Sequence, residues 1–477
     1  MKVHFFHTND VHSHFEEYLQ VATQLRRHRA DVAAQEEIAF TFDIGDHADR
    51  KRMETEGTLG RTNAALLRAV GYDAWVFGNN EGLILPKTSW PDLVRESGAP
   101  VLAANLFDEE TREAYPFFDP YLVFERGGLR VAVFGVTVAF SDFYNMHGVF
   151  AEHPRATFER LLPEIQAQGA DLIVLLSHLG LGADRQIAEE VPGIDLILGG
   201  HTHQVTPEPE LVGNTWICQA GCYGAFYGHV EIEWDEGTRT LQNVSGGAIP
   251  RDRELIPDED LTGLLSEWQE RAAEELSQVV VELPEEIGHR LLGNSPLAHL
   301  LTDGMRALSG ADVALLNGGM FNHGLLPGPF TQQDLLTCFP SPSLTCIVEI
   351  TGAQLLSVLR KSLLPGYFEQ VGKGYGFRGH YIGGLQVSGL RIRAVEVGAY
   401  QFELHAEHDG VSIEADAWYS VAICDYLYFS PVFEEFKQGR SARFQLPFLR
   451  ELLAQELVRR RDREYVEDRW FFEEVGA

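Results

Sequence analysis

Apolar positions along the N-terminal half fall into short runs that stop abruptly. Residues 3–6 form the first, and residues 37–42 alternate, with Ile38, Phe40 and Phe42 on one side and Ile44 continuing the run. Residues 73–77, 171–176 and 194–198 follow. Each is of strand length and apolar enough to be buried in a sheet covered by other layers. Helical patterns lie between them. Tyr18, Leu19, Val21, Ala22 and Leu25 predict a helix over 16–34, and residues 58–70 repeat the spacing up to Gly71, a residue suited to a left-handed helix end. Further strands are predicted over 100–106, 121–125, 130–136, 215–218 and 229–234, with 121–125 and 130–136 joined as a hairpin through Arg126-Gly127-Gly128.

The pattern changes near residue 250. A charged segment over 258–278 carries Leu261, Leu264, Leu265 and Trp268 on one stripe. Beyond it, helices are predicted over 296–308, 351–362 and 446–461, and strands over 312–316, 385–393 and 419–425. At 477 residues the chain exceeds what one core supports, and the expected division is a domain over 1–250, a linker over 251–285 and a second domain over 286–477. Periodicity alone leaves the first domain open between a doubly wound sheet and a two-sheet sandwich.

Chemistry follows the apolar runs. The first leads into Asp10 and His12, an i, i+2 pair that an extended chain points the same way. The others end in Gly45-Asp46, Gly78-Asn79, Ser177-His178 and Gly200-His201-Thr202-His203. One Asp-x-His pair is a weak signal, since His12 alone could merely close a loop. Recurrence of ligand-type side chains at five strand ends makes it a strong one. Carboxylate, amide oxygen and imidazole together suit Mn, Zn, Fe or Co better than Mg or Ca, which prefer all-oxygen shells.

In these segments, their order and their separations, the chain resembles the calcineurin-like metallophosphoesterases, and more narrowly the 5′-nucleotidase family with its extra C-terminal domain. The resemblance covers nearly the whole chain. It implies an α/β fold: an N-terminal two-sheet metallophosphoesterase sandwich flanked by helices, plus a smaller α+β C-terminal domain for substrate recognition. It also implies two divalent transition-metal ions, with Asp10, His12 and His203 on one, Asn79, His178 and His201 on the other, and Asp46 bridging. The implied activity is hydrolysis of nucleotides or related small phosphate monoesters, as in nucleotide catabolism.

The chain departs from that family in two places. Relatives follow Gly-Asn with a histidine that stabilises the transition state or protonates the leaving oxygen, and with an aspartate three positions on; here stand Asn80 and Leu83. An amide donates a hydrogen bond but delivers no proton. Directly after Asp46 come His47, Asp49 and Arg50, so His47 is a candidate for the proton and Arg50 for a planar phosphate fork. An ordinary core position is equally open to His47. With Asn80 these form the candidate catalytic set. In the C-terminal domain, Asn317-Gly318-Gly319-Met320-Phe321-Asn322 lacks the family's substrate arginine, and Tyr428-Phe429-Ser430-Pro431 replaces its Gly-Gly-Asp-Gly turn. Phe377, Arg378, Tyr381 and Phe429, with Tyr375, His380 and Tyr426 nearby, remain as candidates to hold a base by stacking. Core packing is the commoner fate of such rings.

Charge narrows the partners. A formal charge of −32 opposes duplex DNA or an anionic membrane, and the basic run Arg459-Arg460-Arg461 reads as a solvated helix face. The five cysteines form an odd set, and Cys218-x3-Cys222 lacks a second pair, so buried thiols are expected rather than a zinc knuckle. Met1-Lys2 leads straight into the first strand and no run has transmembrane length, which makes a cytoplasmic protein the expectation. The expected partner is a small phosphorylated substrate; oligomeric state is not in the sequence. Two other functions stay open: a phosphatase or cyclic phosphodiesterase of a different substrate class, and a metal-retaining ligand-binding protein without turnover.

Overall fold

The computed structural model describes residues 1–374, 376–460 and 468–474. The chain divides into two compact units, Met1–Ala273 and Glu274–Ala477. The first holds two six-stranded sheets. One runs in the order Thr240–Pro250, Phe226–Asp235, Lys2–Thr8, Ile38–Asp43, Ala74–Val76, Val101–Leu102. The other runs Glu210–Val212, Thr215–Gln219, Leu196–Gly199, Leu172–His178, Leu129–Thr137, Tyr121–Arg126. Val3, Phe5, Phe40 and Phe42 of the first share one core with Val131, Val174, Leu176 and Leu198 of the second. The sheets therefore face each other as a sandwich, the alternative that periodicity left open.

Strand alternation sets the outer layers too. With Val3 and Phe5 turned inward, Phe6 points out and packs with Tyr18 and Leu25 of the helix Phe15–Ala34. The helices Pro154–Ala167 and Leu181–Glu190 cover the second sheet through Phe158, Leu161 and Ile187. Strand-helix-strand crossovers keep Lys2–Thr8, Ile38–Asp43 and Ala74–Val76 parallel, and likewise Leu172–His178 and Leu196–Gly199. Their carboxyl ends fall on shared sheet edges, where such folds place their ligands.

Several expectations shift. The helix over 58–70 breaks at Leu59 and Gly60, both left-handed, into Met53–Thr58 and Arg61–Val70. The run 100–106 forms only the two-residue strand Val101–Leu102, and Leu106–Asp108 pairs elsewhere. Thr240–Pro250 is an edge strand the sequence reading lacks. The segment read as a connector contains the helix Glu259–Leu276, whose Leu261, Leu265, Trp268 and Ala272 are buried. In the second unit a five-stranded sheet runs Leu385–Ser388, Val313–Asn317, Trp418–Cys424, Thr345–Thr351, Arg440–Gln445. The single strand expected over 385–393 divides at Gly389, whose φ of 80° turns Arg391–Gly398 into a different sheet. The last helix is Leu449–Arg459; Arg461 and Tyr375 lie outside the described residues. The five cysteines are free thiols. No described helix is long and apolar enough to cross a membrane.

A histidine cluster ties the first sheet to its helix. His4 Nδ1 lies 3.0 Å from His229 Nε2, His4 Nε2 lies 2.8 Å from Glu37 Oε2, and the His28 ring sits 4.4 Å from that of His229. Burial, with His28 and His4 beside it, lowers His229 to about 3. A histidine depressed in this way stays neutral when folded but takes up a proton on unfolding below its ordinary value of 6.5. The stability it contributes is present above that value and is lost as pH falls toward 3. Thermal melts should therefore show Tm falling from pH 7 to 5, with a shallower fall in His229→Gln; equal slopes would count against the assignment.

Candidate metal centre

The strand ends converge on two groups of side chains. Asp10, His12 and His203 form one, and Asp46, His178 and His201 the other, each with its donor atoms within 4.8 Å of one another. Asn79 joins the second, its Oδ1 3.2 Å from His178 Nε2. Asp46 faces both, with Oδ1 3.3 Å from His178 Nε2 and Oδ2 3.8 Å from His12 Nε2. All seven residues expected as ligands are thus brought together.

The backbone is strained to achieve this. Asp10, His12, Asp46, His201 and His203 all have left-handed φ, at 50°, 47°, 52°, 76° and 62°. Non-glycine residues adopt that region uncommonly, Asp and His more readily than most, and five of them in one centre is a concentration typical of a functional site. Gly78 permits the closest approach, since a Cβ there would lie 2.3 Å from the Asp46 nitrogen.

The donors fit cations. Asp10 Oδ2 accepts from Asn9 Nδ2 and the His201 N–H, each at 2.8 Å, while buried Oδ1 is left without a hydrogen bond, 3.4 Å from His203 Nε2. A bare buried carboxylate oxygen among imidazoles costs stability unless a cation meets it. His178 Nδ1 meets the Ile44 carbonyl at 2.8 Å, which places its proton there and turns Nε2 to the cluster. Against the effect of burial, the Asp46 carboxylate raises His178 to about 10. Asp10 and the adjoining Cys222 thiol raise His203 to about 10. Burial and the neighbouring His178 lower His201 to about 4.

The candidate catalytic residues are placed differently from one another. Asn80 is at the centre: its N–H donates to Asp46 Oδ1 at 2.7 Å, and its Nδ2 meets His12 Nδ1 at 3.0 Å and the Ala48 carbonyl at 2.7 Å. It orients His12. His47 is held as a buried imidazole. Its ring is buried against Tyr18, its Nδ1 accepts from Asn63 Nδ2 at 3.1 Å, and burial lowers it to about 3, so it is neutral. Arg50 is not an open phosphate fork either. Its Nε and Nη2 grip Glu56 at 2.6 and 2.8 Å, and Nη1 donates to the Ile84 carbonyl.

Glu81, given no role by sequence reading, proves central. Its Oε2 accepts the N–H groups of Asp46 and Gly78, each at 3.0 Å, and its Oε1 that of Ala48 at 2.8 Å. It clamps the Asp46 loop to the Gly78 turn. The signal available was its place three residues after Gly78, at the start of the helix Asn79–Ile84, where a glutamate reaches back to the cap. Tyr223 and Phe140, also missed, flank the centre: the Tyr223 ring lies 5.3 Å from His203 and the Phe140 ring 5.9 Å from His201.

In the second unit the expected base-stacking residues have other partners. Phe377 is core, stacked on Tyr426 at 4.6 Å. Phe429 stacks on Phe444 at 5.3 Å. The Arg378 N–H donates to Ser341 Oγ at 2.9 Å and its Nη1 to the Phe377 carbonyl. Tyr381 is exposed, edge-on to His380. Phe377→Ala should accordingly lower stability by about 3–5 kcal/mol, the usual cost of deleting a buried ring. Chemical denaturation measures it, and a loss under about 1 kcal/mol would remove Phe377 from the core.

Residues 3–205 match the family described as calcineurin-like phosphoesterase, and residues 280–431 the family described as 5′-nucleotidase, C-terminal domain. The chain is 30% identical over 466 residues to the uncharacterized metallophosphoesterase YunD of Bacillus subtilis, spanning 96% of this chain and 99% of that one. It is 23% identical over 425 residues to a 5′-nucleotidase of Vibrio cholerae, spanning 75% of each. Its fold is similar to that of the Haemophilus influenzae NAD nucleotidase, with a TM-score of 0.71, 16% identity and coverage of 100% of this chain and 99% of that one.

Proposed function

The chain belongs to the calcineurin-like phosphoesterases that carry a 5′-nucleotidase C-terminal domain, as a metal-dependent phosphoric ester hydrolase, and from that premise we propose that it hydrolyses nucleotides or related small phosphate monoesters with two bound cations. Asp10, His12 and His203 would hold one, Asn79, His178 and His201 the other, and Asp46 would be shared between them. Two such cations supply activation of water and polarisation of the phosphoryl oxygens. Asp46 supports this reading most, because one buried carboxylate turns a separate oxygen to each trio. Asn80 holds the His12 ring in place, and Glu81 fixes the loop that carries Asp46. The test is a panel of phosphate esters offered to protein reconstituted with Mn, Zn, Fe or Co. Nucleoside monophosphates should be the best natural substrates, and a preference for cyclic diesters or sugar phosphates would overturn that choice.

The amide at position 80 shapes the reaction further. The Asn80 amide donates to His12 and Ala48 and has no proton to deliver to a leaving oxygen, and the buried His47 ring, its Nδ1 held by Asn63, is kept neutral by burial. Turnover should therefore depend steeply on the leaving group, with a nitrophenyl ester exceeding an alkyl ester by at least the ~10²–10⁴ that a positioned acid contributes. Ratios of kcat/KM across a leaving-group series measure this. A flat series would mean that a proton donor operates in the site after all.

A further inference from the structure

Neighbouring helices on one face of a sheet ordinarily close against each other, with axes about 8–10 Å apart. Between the helices Pro154–Ala167 and Leu181–Glu190 the second sheet instead keeps an open groove of about 690 Å³. That volume suits a small organic molecule, for which sites run ~300–1,000 Å³. Its floor is the buried apolar Phe158, Leu162 and Ile187, and the apolar surface it exposes comes from Ala183, Pro163 and, at one end, Leu179 and Phe140. This end adjoins the metal centre: Leu179 follows His178 in the chain, and the Phe140 ring lies 5.9 Å from His201. The mouth is polar and carries more negative than positive charge. Arg155 on one helix meets Glu159 at 3.2 Å and reaches across to Glu190 on the other at 3.6 Å, so two carboxylates face one guanidinium. Gln186 donates to Glu190 at 2.9 Å beside them.

We propose that this groove binds a neutral nucleoside, the dephosphorylated product of the activity proposed above; the identity of the occupant rests on that reading. Its apolar surface matches the faces of a planar base, and the carboxylates and amides of the mouth match the hydroxyls of a sugar. The charge balance then sorts substrate from product. A phosphate attached to the same nucleoside meets two carboxylates, Glu159 and Glu190, against the single Arg155 guanidinium between them, a net like charge, whereas cations in the metal centre attract it. The groove accepts what the metal centre releases, and its occupant sits against residues next to His178 and His201.

The test uses the full chain without added metal. Adenosine, cytidine and their 5′-monophosphates are titrated by calorimetry and by saturation-transfer NMR. Nucleosides should bind saturably, and each 5′-phosphate about tenfold more weakly or less. Ala183→Trp, which fills the groove, should weaken nucleoside binding about tenfold while metal-loaded turnover of nitrophenyl phosphate stays within about twofold of the parent. Glu190→Arg, on the surface, should bring the nucleotide level with or above the nucleoside and carries the test if the tryptophan variant fails to fold. The inference is overturned if no nucleoside binds saturably, if binding is indifferent to both variants, or if nucleotide and nucleoside bind the parent equally. A chain that hydrolyses nucleotides but binds no nucleoside in the groove refutes this inference alone. One that binds nucleosides there yet hydrolyses only other esters refutes the proposed substrate alone.

Discussion

Asp46→Asn is expected to bind about one metal ion per chain where the parent binds about two, and to lose more activity than the ~10–100-fold that removing an outer-shell partner costs. The asymmetry comes from the Asn80 N–H, which donates to Asp46 Oδ1 at 2.7 Å. An asparagine must keep its oxygen there, so its –NH₂ takes the Oδ2 position, 3.8 Å from His12 Nε2. A donor then faces the Asp10, His12 and His203 trio in place of a shared charge, while the oxygen beside His178 persists. The shape is conserved, and the circular dichroism spectrum should be unchanged. Elemental analysis after saturating reconstitution reads the stoichiometry. Two ions retained, with kcat/KM within about tenfold of the parent, would remove Asp46 from the bridging position.

The ligand array was legible in the sequence because it is written in residue types. Each apolar run fixes a strand by period, and a carboxylate, amide or imidazole at its end stands out against that pattern. Conformation was not legible. Asp10, His12, Asp46, His201 and His203 are left-handed without being glycine; Asp and His tolerate that region better than most residues, but residue type alone does not say which of them adopt it. Proximity along the chain also misled. His47 follows Asp46 directly, yet the chain turns there and buries the imidazole against Tyr18 and Asn63. Arg50 finds its partner in Glu56, six residues on, before any phosphate could claim it. Phe377 of the second unit lies in the core for a related reason. Phe377 is covered by Tyr426, and no periodicity within one loop can report a stacking partner from another. Local patterns named the ligands; which neighbours are free to act is a tertiary property.

Glu81 is where that tertiary property has its largest expected effect on a residue that touches no ligand atom. Its two oxygens satisfy three buried N–H groups, those of Asp46, Gly78 and Ala48. Burial, and after it the nearby Asp46 charge, pushes its carboxyl up, and the Ala48 N–H works against that shift, so the position is costly and is held in place by its donors. Glu81→Gln offers one oxygen where two are needed. The better orientation keeps it on Asp46 and Gly78 and turns the –NH₂ toward the Ala48 N–H, leaving one buried donor unmet at a cost of about 1–3 kcal/mol. Glu81→Ala leaves three unmet and should be the more severe. Because the freed segment carries Asp46 and the Ala48 carbonyl that holds Asn80, metal affinity should fall by roughly 10–100-fold in Glu81→Gln, the range for outer-shell partners. Calorimetric metal titration and thermal melts measure the two effects separately. A purely structural glutamate would lower Tm and leave metal affinity alone. A positioning residue moves both, and a glutamine variant whose metal titration matches the parent would overturn the role.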